Sequence, residues 1–187
     1  MNLPNKLTLG RIIIVPFFVA AMLIDFPAHY LIALALFVTA SITDMLDGQI
    51  ARKNNLITDF GKFADPLADK ILVLAAFLCF VQLGLCDCVA VIIVLFREFT
   101  VTSIRLIAAS KNKVIAANQW GKFKTVTQMV AIISIICMQS FLGFFSPEPL
   151  AQIFWWIGEV MVWISTVFTI ISGVIYLVSN RHFINSR

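Results

Sequence analysis

The chain has 187 residues, 60% of them hydrophobic and only 13% charged, with a formal net charge of +4 and a mean hydropathy of +0.96. A soluble domain keeps about a quarter of its residues charged, so this composition excludes a soluble enzyme or binding module and predicts an all-α polytopic membrane protein. No linker, low-complexity tract or internal repeat interrupts it, so residues 1–187 are expected to form one membrane domain, and nucleic acid is not an expected partner.

A helix needs about 20 mostly apolar residues to cross a bilayer. That ruler predicts six transmembrane helices, over roughly 9–25, 30–50, 63–85, 89–109, 122–145 and 151–180. Ahead of the first, Asn2 to Thr8 is expected to lie along the interface as a short N-terminal segment. The basic start and apolar run of Met1 to Ile24 mimic a signal peptide, but the apolar part is long and lacks a small-x-small exit, so it is read as a retained span. Pro16 and Pro66 fall inside predicted spans, where proline is tolerated; Pro66 sits near a helix start, where its missing N–H matters least. Cys79, Cys86, Cys88 and Cys137 are scattered, and Cys86-Asp87-Cys88 is too short for a zinc pair.

Lysine and arginine fix the orientation. Connections 1–2, 3–4 and 5–6 carry Asp25, Asp87 and Glu148 but no Lys or Arg. The opposite face holds Lys6, Arg11, Arg52, Lys53, Lys62, Lys111, Lys113, Lys122, Lys124, Arg181 and Arg187. By the positive-inside rule that face is cytoplasmic, and six spans return both termini to it.

The acidic residues of the second and third spans gather on the same side. Asp44, Asp47, Gly48 and Ala51 are spaced i, i+3, i+4 and i+7, one face of a helix. Gly61, Asp65, Ala68 and Asp69 repeat similar spacing on the next helix, beyond a polar turn from Lys53 to Thr58. If the two helices pair, four carboxylates converge with no His or Cys among them. An all-oxygen donor set suits Mg2+ or Mn2+. Gly48, Ala51 and Gly61 leave room for a ligand, and Arg52 offers a guanidinium that can fork onto phosphate oxygens.

Written as spacing, the stretch from Asp44 to Asp69 is D-x2-D-G-x2-A-R-x8-G-x3-D-x3-D. It resembles the motif of the CDP-alcohol phosphatidyltransferases, integral membrane enzymes that build phospholipid headgroups. The resemblance implies a divalent-metal-dependent phosphatidyltransferase in which Asp44, Asp47 and Asp65 are the principal metal ligands. Asp69 would contribute to the metal site and act as general base. Gly48, Ala51, Arg52 and Gly61 would bind CDP-diacylglycerol, with Asn5 and Thr8 as further nucleotide contacts. A homodimer in the bacterial cytoplasmic membrane is implied too, with the active site on the cytoplasmic side.

Two further groups stand outside that motif. Arg97-Glu98-Phe99 precedes Arg105 in the fourth span, where charges need partners or a wet cavity. They are either an ion pair that fixes packing or part of an anion site. Gly121-Lys122-Phe123-Lys124-Thr125 opens the fifth span. Together with the opening Pro4-Asn5-x-Leu7-Thr8 and Arg11, these patterns resemble the branch of the family whose acceptor is sn-glycerol 3-phosphate. That implies a glycerol 3-phosphate pocket of Arg97, Arg105, Lys122 and Lys124, and formation of phosphatidylglycerophosphate and CMP. The alternatives are a relative with a cardiolipin- or inositol-phosphate-type acceptor or, from another class, a divalent-cation transporter. Trp155, Trp156 and Trp163 are expected to form an interfacial belt, and Glu159 has no assigned role.

Overall fold

The computed structural model describes residues 3–54, 59–110, 119–145 and 148–181, with side chains described for 8–43, 68, 70–108, 119–145 and 149–181. Every described element is a helix: α1 (Leu3–Leu23), α2 (His29–Asn54), α3 (Asp59–Gln82), α4 (Cys88–Ser110), α5 (Gln119–Phe145) and α6 (Glu148–Ser179). They coincide with the six expected spans. Residues 3–8, expected as a separate interfacial segment, are instead the first turns of α1, which continues through Pro16 without a break.

The surface tells which solvent surrounds these helices. Phe96 is 73% exposed and Phe145 69%, and Phe17, Val130, Val160 and Val174 also point outward. An outer face this apolar is incompatible with water and matches lipid. Helix α5 and residues Pro149–Ser179 of α6 are long and apolar enough to cross a membrane, and Thr8–Leu23, His29–Thr43 and Lys70–Gln82 are shorter apolar stretches. Lipid is as apolar as leucine, so association depends on close van der Waals packing, which small residues allow. The buried seams hold Ala33, Ala40, Ala76 and Ala90, with Phe18, Phe37, Phe77 and Phe80 filling the space between them. Helix α1 packs on both α2 and α3, α5 on α2 and α6, and α4 on α6.

Two connections are tied down. Between α1 and α2 the chain turns through Ala28 at φ 61°, and His29 Nδ1 lies 3.0 Å from the Ala21 carbonyl. Helix α3 ends on Gly84 at φ 68°, a left-handed position that favours glycine. There Leu85 N–H donates back to the Phe80 carbonyl at 2.8 Å. The α3–α4 loop is then held by α6. Trp155 Nε1 donates to the Gly84 carbonyl at 2.8 Å. Glu159 accepts the Asp87 backbone N–H at 3.0 Å and Trp163 Nε1 at 2.7 Å. Glu159, which sequence left without a role, is a staple between α6 and this loop. Of the tryptophans expected as a belt, Trp155 and Trp156 are exposed, and Trp155 and Trp163 also make these specific bonds.

Candidate functional site

The motif residues lie where the two helices approach their connection. Asp44, Asp47, Gly48, Ala51 and Arg52 belong to the last turns of α2, and Gly61, Asp65 and Asp69 to the first turns of α3. Both runs are uninterrupted helix, so the i, i+3, i+4, i+7 spacing holds along the backbone. The side chains at these positions, and that of Asn5 on α1, lie outside the described residues. Their neighbours are described. Phe18 of α1 stacks on Phe37 of α2 with ring centroids 5.7 Å apart. Following that antiparallel register, Thr8 and Arg11 come to the level of positions 47 and 44. Both are buried, Thr8 at 3% exposure and Arg11 at 4%, and neither is without partners. Helix α1 therefore brings polar groups to the level of the acidic motif and, by packing on α2 and α3, joins the two helices that carry it.

A second polar site is described in full. Glu98 on α4 is buried among three cations. Its Oε1 accepts from Arg97 Nη1 at 2.8 Å and from Lys124 Nζ of α5 at 2.5 Å, and Lys70 Nζ of α3 stands 3.7 Å from Oε2. Arg97 Nη2 donates to Ser172 Oγ of α6 at 2.6 Å. Three helices thus meet at one carboxylate, and α6 joins them through Arg97. Ion pairs within the low-dielectric interior hold together only when charges are matched and hydrogen-bonded. Among the described residues three cations face one anion, an excess of two positive charges, which a phosphate dianion would balance. A pure packing pair would need only one cation. Lys70 also ties this cluster to the motif, since it follows Asp69 directly on α3.

The sequence grouped Arg97, Arg105, Lys122 and Lys124 in one pocket. The structure brings together Arg97 and Lys124 and adds Lys70 and Glu98. Arg105 is exposed and lies with its guanidinium 5.6 Å from the Tyr176 ring centroid. Eight residues along a helix separate it from Arg97, about 12 Å of rise. Lys122 is exposed and is not in the described cluster.

Sequence reading missed Lys70, Ser172 and the polar seam of α6. Ser165, Thr169, Ser172 and Tyr176 are all buried; spaced i, i+4, i+7 and i+11, they line one face of an otherwise apolar helix, and that spacing was the available signal. Gln128 of α5 reaches this seam, with Nε2 donating to Thr169 Oγ1 at 3.4 Å.

Comparison with known proteins adds an independent line. A family model described as CDP-alcohol phosphatidyltransferase matches residues 1–171. A Bacillus subtilis protein named CDP-diacylglycerol–glycerol-3-phosphate 3-phosphatidyltransferase is 46% identical over 147 residues, covering 72% of this chain and 76% of that protein. Proteins of the same name are 37% identical in Rickettsia bellii, over 86% of this chain and 88% of the relative, and 38% identical in Haemophilus influenzae, over 70% and 73%.

Proposed function

The chain belongs to the CDP-alcohol phosphatidyltransferase family, and we propose that it transfers the phosphatidyl group of CDP-diacylglycerol to sn-glycerol 3-phosphate, releasing CMP, in phospholipid biosynthesis. The observation that carries the acceptor assignment is the excess of described cations around Glu98, one of which, Lys70, follows Asp69 on α3. A neutral alcohol would have no use for that charge. The names of the relatives point to the same acceptor.

The donor set fits a hard divalent cation, because Asp44, Asp47, Asp65 and Asp69 supply only oxygen. Mg2+ or Mn2+ held by these residues would neutralise the pyrophosphate and polarise the phosphorus under attack. Arg52 offers the pyrophosphate a charge-assisted contact, while Gly48, Ala51 and Gly61 leave space for the nucleotide, with Asn5 and Thr8 beside it. Arg97 and Lys124, with Lys70, hold the acceptor's phosphate and so place its glycerol hydroxyl. Asp69 takes the proton of that hydroxyl as its oxygen bonds to the lipid-linked phosphorus. The bond from that phosphorus to the bridging oxygen breaks, and CMP leaves with the oxygen. Positioning accounts for much of such a rate, since it turns an encounter of two substrates into a reaction within one complex.

In this reading all six helices of one domain, 1–187, cross the cytoplasmic membrane, the termini and the site face the cytoplasm, and two copies associate as a homodimer. The test is CMP release by purified protein given CDP-diacylglycerol and a panel of alcohols. Glycerol 3-phosphate should support release at least tenfold faster than free glycerol, inositol phosphate or phosphatidylglycerol, a margin equal to about 1.4 kcal/mol of selective recognition. Equal rates across the panel would reject the acceptor assignment.

A further inference from the structure

Helix α6 carries no part of the acidic motif, and the match to the family ends at residue 171. The next two residues nevertheless touch the cation cluster. Ser172, fully buried, accepts the hydrogen bond from Arg97 Nη2. At Gly173, which is also buried, an added Cβ would stand 2.9 Å from Arg97 Cγ and 3.9 Å from Arg97 Cβ and Nε. Cγ lies near the root of the side chain. Turning the guanidinium alone therefore cannot relieve that contact, and the whole side chain has to leave its present path. Arg97 is thus fixed at three points: its stem against the bare backbone of Gly173, Nη2 on Ser172 and Nη1 on Glu98.

That fixation leaves donors over. A guanidinium has five N–H groups, and these two bonds use two of them. Arg97 Nε is buried with no hydrogen-bond partner. A buried donor left unmade is costly, and an anion with several acceptor oxygens beside it removes the cost. Orientation matters for such a contact, because the planar fork matches phosphate only in a narrow range of geometries.

We propose that the Ser172–Gly173 step of α6 is a seat that positions Arg97 for the acceptor's phosphate, so that a helix outside the catalytic motif sets acceptor affinity. This rests on the reading above that the Glu98 cluster takes the phosphate of glycerol 3-phosphate. Ser172 and Gly173 are positioning residues that act through Arg97.

The experiment uses purified full-length protein carrying Gly173→Ala, Ser172→Ala or Ser172→Thr, each in the natural sequence and on an Arg97→Ala background. Two quantities are read: KM for each substrate from CMP release, and the dissociation constant of inorganic phosphate by calorimetry. Gly173→Ala should raise KM for glycerol 3-phosphate and the phosphate dissociation constant by about tenfold, the order expected for losing one charge-assisted contact. KM for CDP-diacylglycerol should stay within about twofold, since distant groups act independently. Ser172→Ala should move in the same direction, and Ser172→Thr, which keeps the hydroxyl, should restore affinity. On the Arg97→Ala background, which lacks the Cγ that a Cβ at 173 would strike, Gly173→Ala should add less than about twofold, because the side chain it acts through is gone. Gly143→Ala, where a Cβ meets nothing within 4 Å, is the control.

Equal rises in both KM values, or a Gly173→Ala effect that persists in full on Arg97→Ala, would overturn the seat. Should Gly173→Ala not fold, the Ser172→Ala and Ser172→Thr pair decides the same question. If the natural protein releases no CMP with glycerol 3-phosphate, the acceptor assignment fails while phosphate binding still judges the seat. Weaker phosphate binding in Gly173→Ala upholds it; unchanged binding, or none by the natural protein, overturns it.

Discussion

At the scale of single residues, the cations of α4 and α5 divide into two kinds. Arg97 and Lys124 converge on Glu98, whereas Arg105 and Lys122 are exposed. A hydrogen bond to a charged group contributes about 1.5–3 kcal/mol. Arg97→Ala and Lys124→Ala should therefore raise KM for glycerol 3-phosphate by roughly ten- to a hundredfold, with far less change for CDP-diacylglycerol. Arg105→Ala and Lys122→Ala should change it by less than about threefold, as expected for exposed charges. Steady-state kinetics on all four variants separates the groups, and a uniform effect would return Arg105 and Lys122 to the pocket. The acids of the motif divide too. Asp69→Asn should lower kcat by about 10²–10⁴-fold, the usual contribution of a general base, and spare much of the CDP-diacylglycerol binding. Asp65→Asn should damage both, because a metal ligand supports binding as well as chemistry. Near-normal kcat in Asp69→Asn at saturating substrates would assign the base elsewhere.

At the scale of elements, α6 acts as a spine along which other helices are fastened. Its N-terminal half holds the α3–α4 loop through Glu159 and Trp155, and its C-terminal half holds α4 and α5 through Ser172 and Thr169. Glu159→Ala would leave the Asp87 N–H and the Trp163 indole without their acceptor. Both bonds are partly shielded from solvent and each contributes about 0.5–1.5 kcal/mol or somewhat more to a carboxylate, so the melting temperature in detergent should fall, and Glu159→Gln should recover part of the loss. An unchanged melting temperature would remove the staple. The same loop reports orientation. Cys88 is exposed while Cys86 is buried, and burial, helped by the nearby Glu159 and Asp87 carboxylates, pushes the Cys86 thiol up to about 12. Since the thiolate is the reactive form, a membrane-impermeant maleimide applied to intact cells should modify Cys88 and leave Cys86 untouched. Labelling of Cys88 only after permeabilisation would invert the orientation drawn from the positive-inside rule.

The six helices are legible in the sequence because a bilayer imposes a fixed length of apolar residues on each. The acidic motif is legible because its partners are local, within one helix or across a short turn. The Glu98 network is not, since Lys124 lies 26 residues from Glu98 and Ser172 lies 75 from Arg97. No periodicity within α4 says which distant helix will supply a counter-charge. Arg105 is placed apart from Glu98 for a related reason. Its position one helical face from Glu98 fits a shared pocket, but Tyr176 of α6 offers its guanidinium a ring at 5.6 Å. Glycine at 173 carries no sequence signal at all until Arg97 is seen lying across it.

At the scale of the whole molecule, the chain is a lipid-facing helical bundle with an acidic motif carried by α2 and α3 and a cationic cluster where α3, α4, α5 and α6 meet. The two share helix α3, through Asp69 and Lys70. In the proposed function, that adjacency would bring the nucleotide-lipid donor to the phosphorylated acceptor, each handled by charge of the opposite sign or by a cation between like charges. Activity should accordingly be abolished by exhaustive EDTA treatment and restored by Mg2+ or Mn2+, as an oxygen-only donor set requires; CMP release undiminished by chelator would remove the metal assignment. The central claim, transfer to glycerol 3-phosphate, is tested most directly by following the acceptor itself. Purified protein is incubated with radiolabelled glycerol 3-phosphate, CDP-diacylglycerol and divalent metal, and the label extracted into lipid is measured alongside CMP. The account predicts that label enters a phosphate-bearing lipid in equal proportion to the CMP released, and only when CDP-diacylglycerol is present. CMP release with no label in the lipid would contradict it.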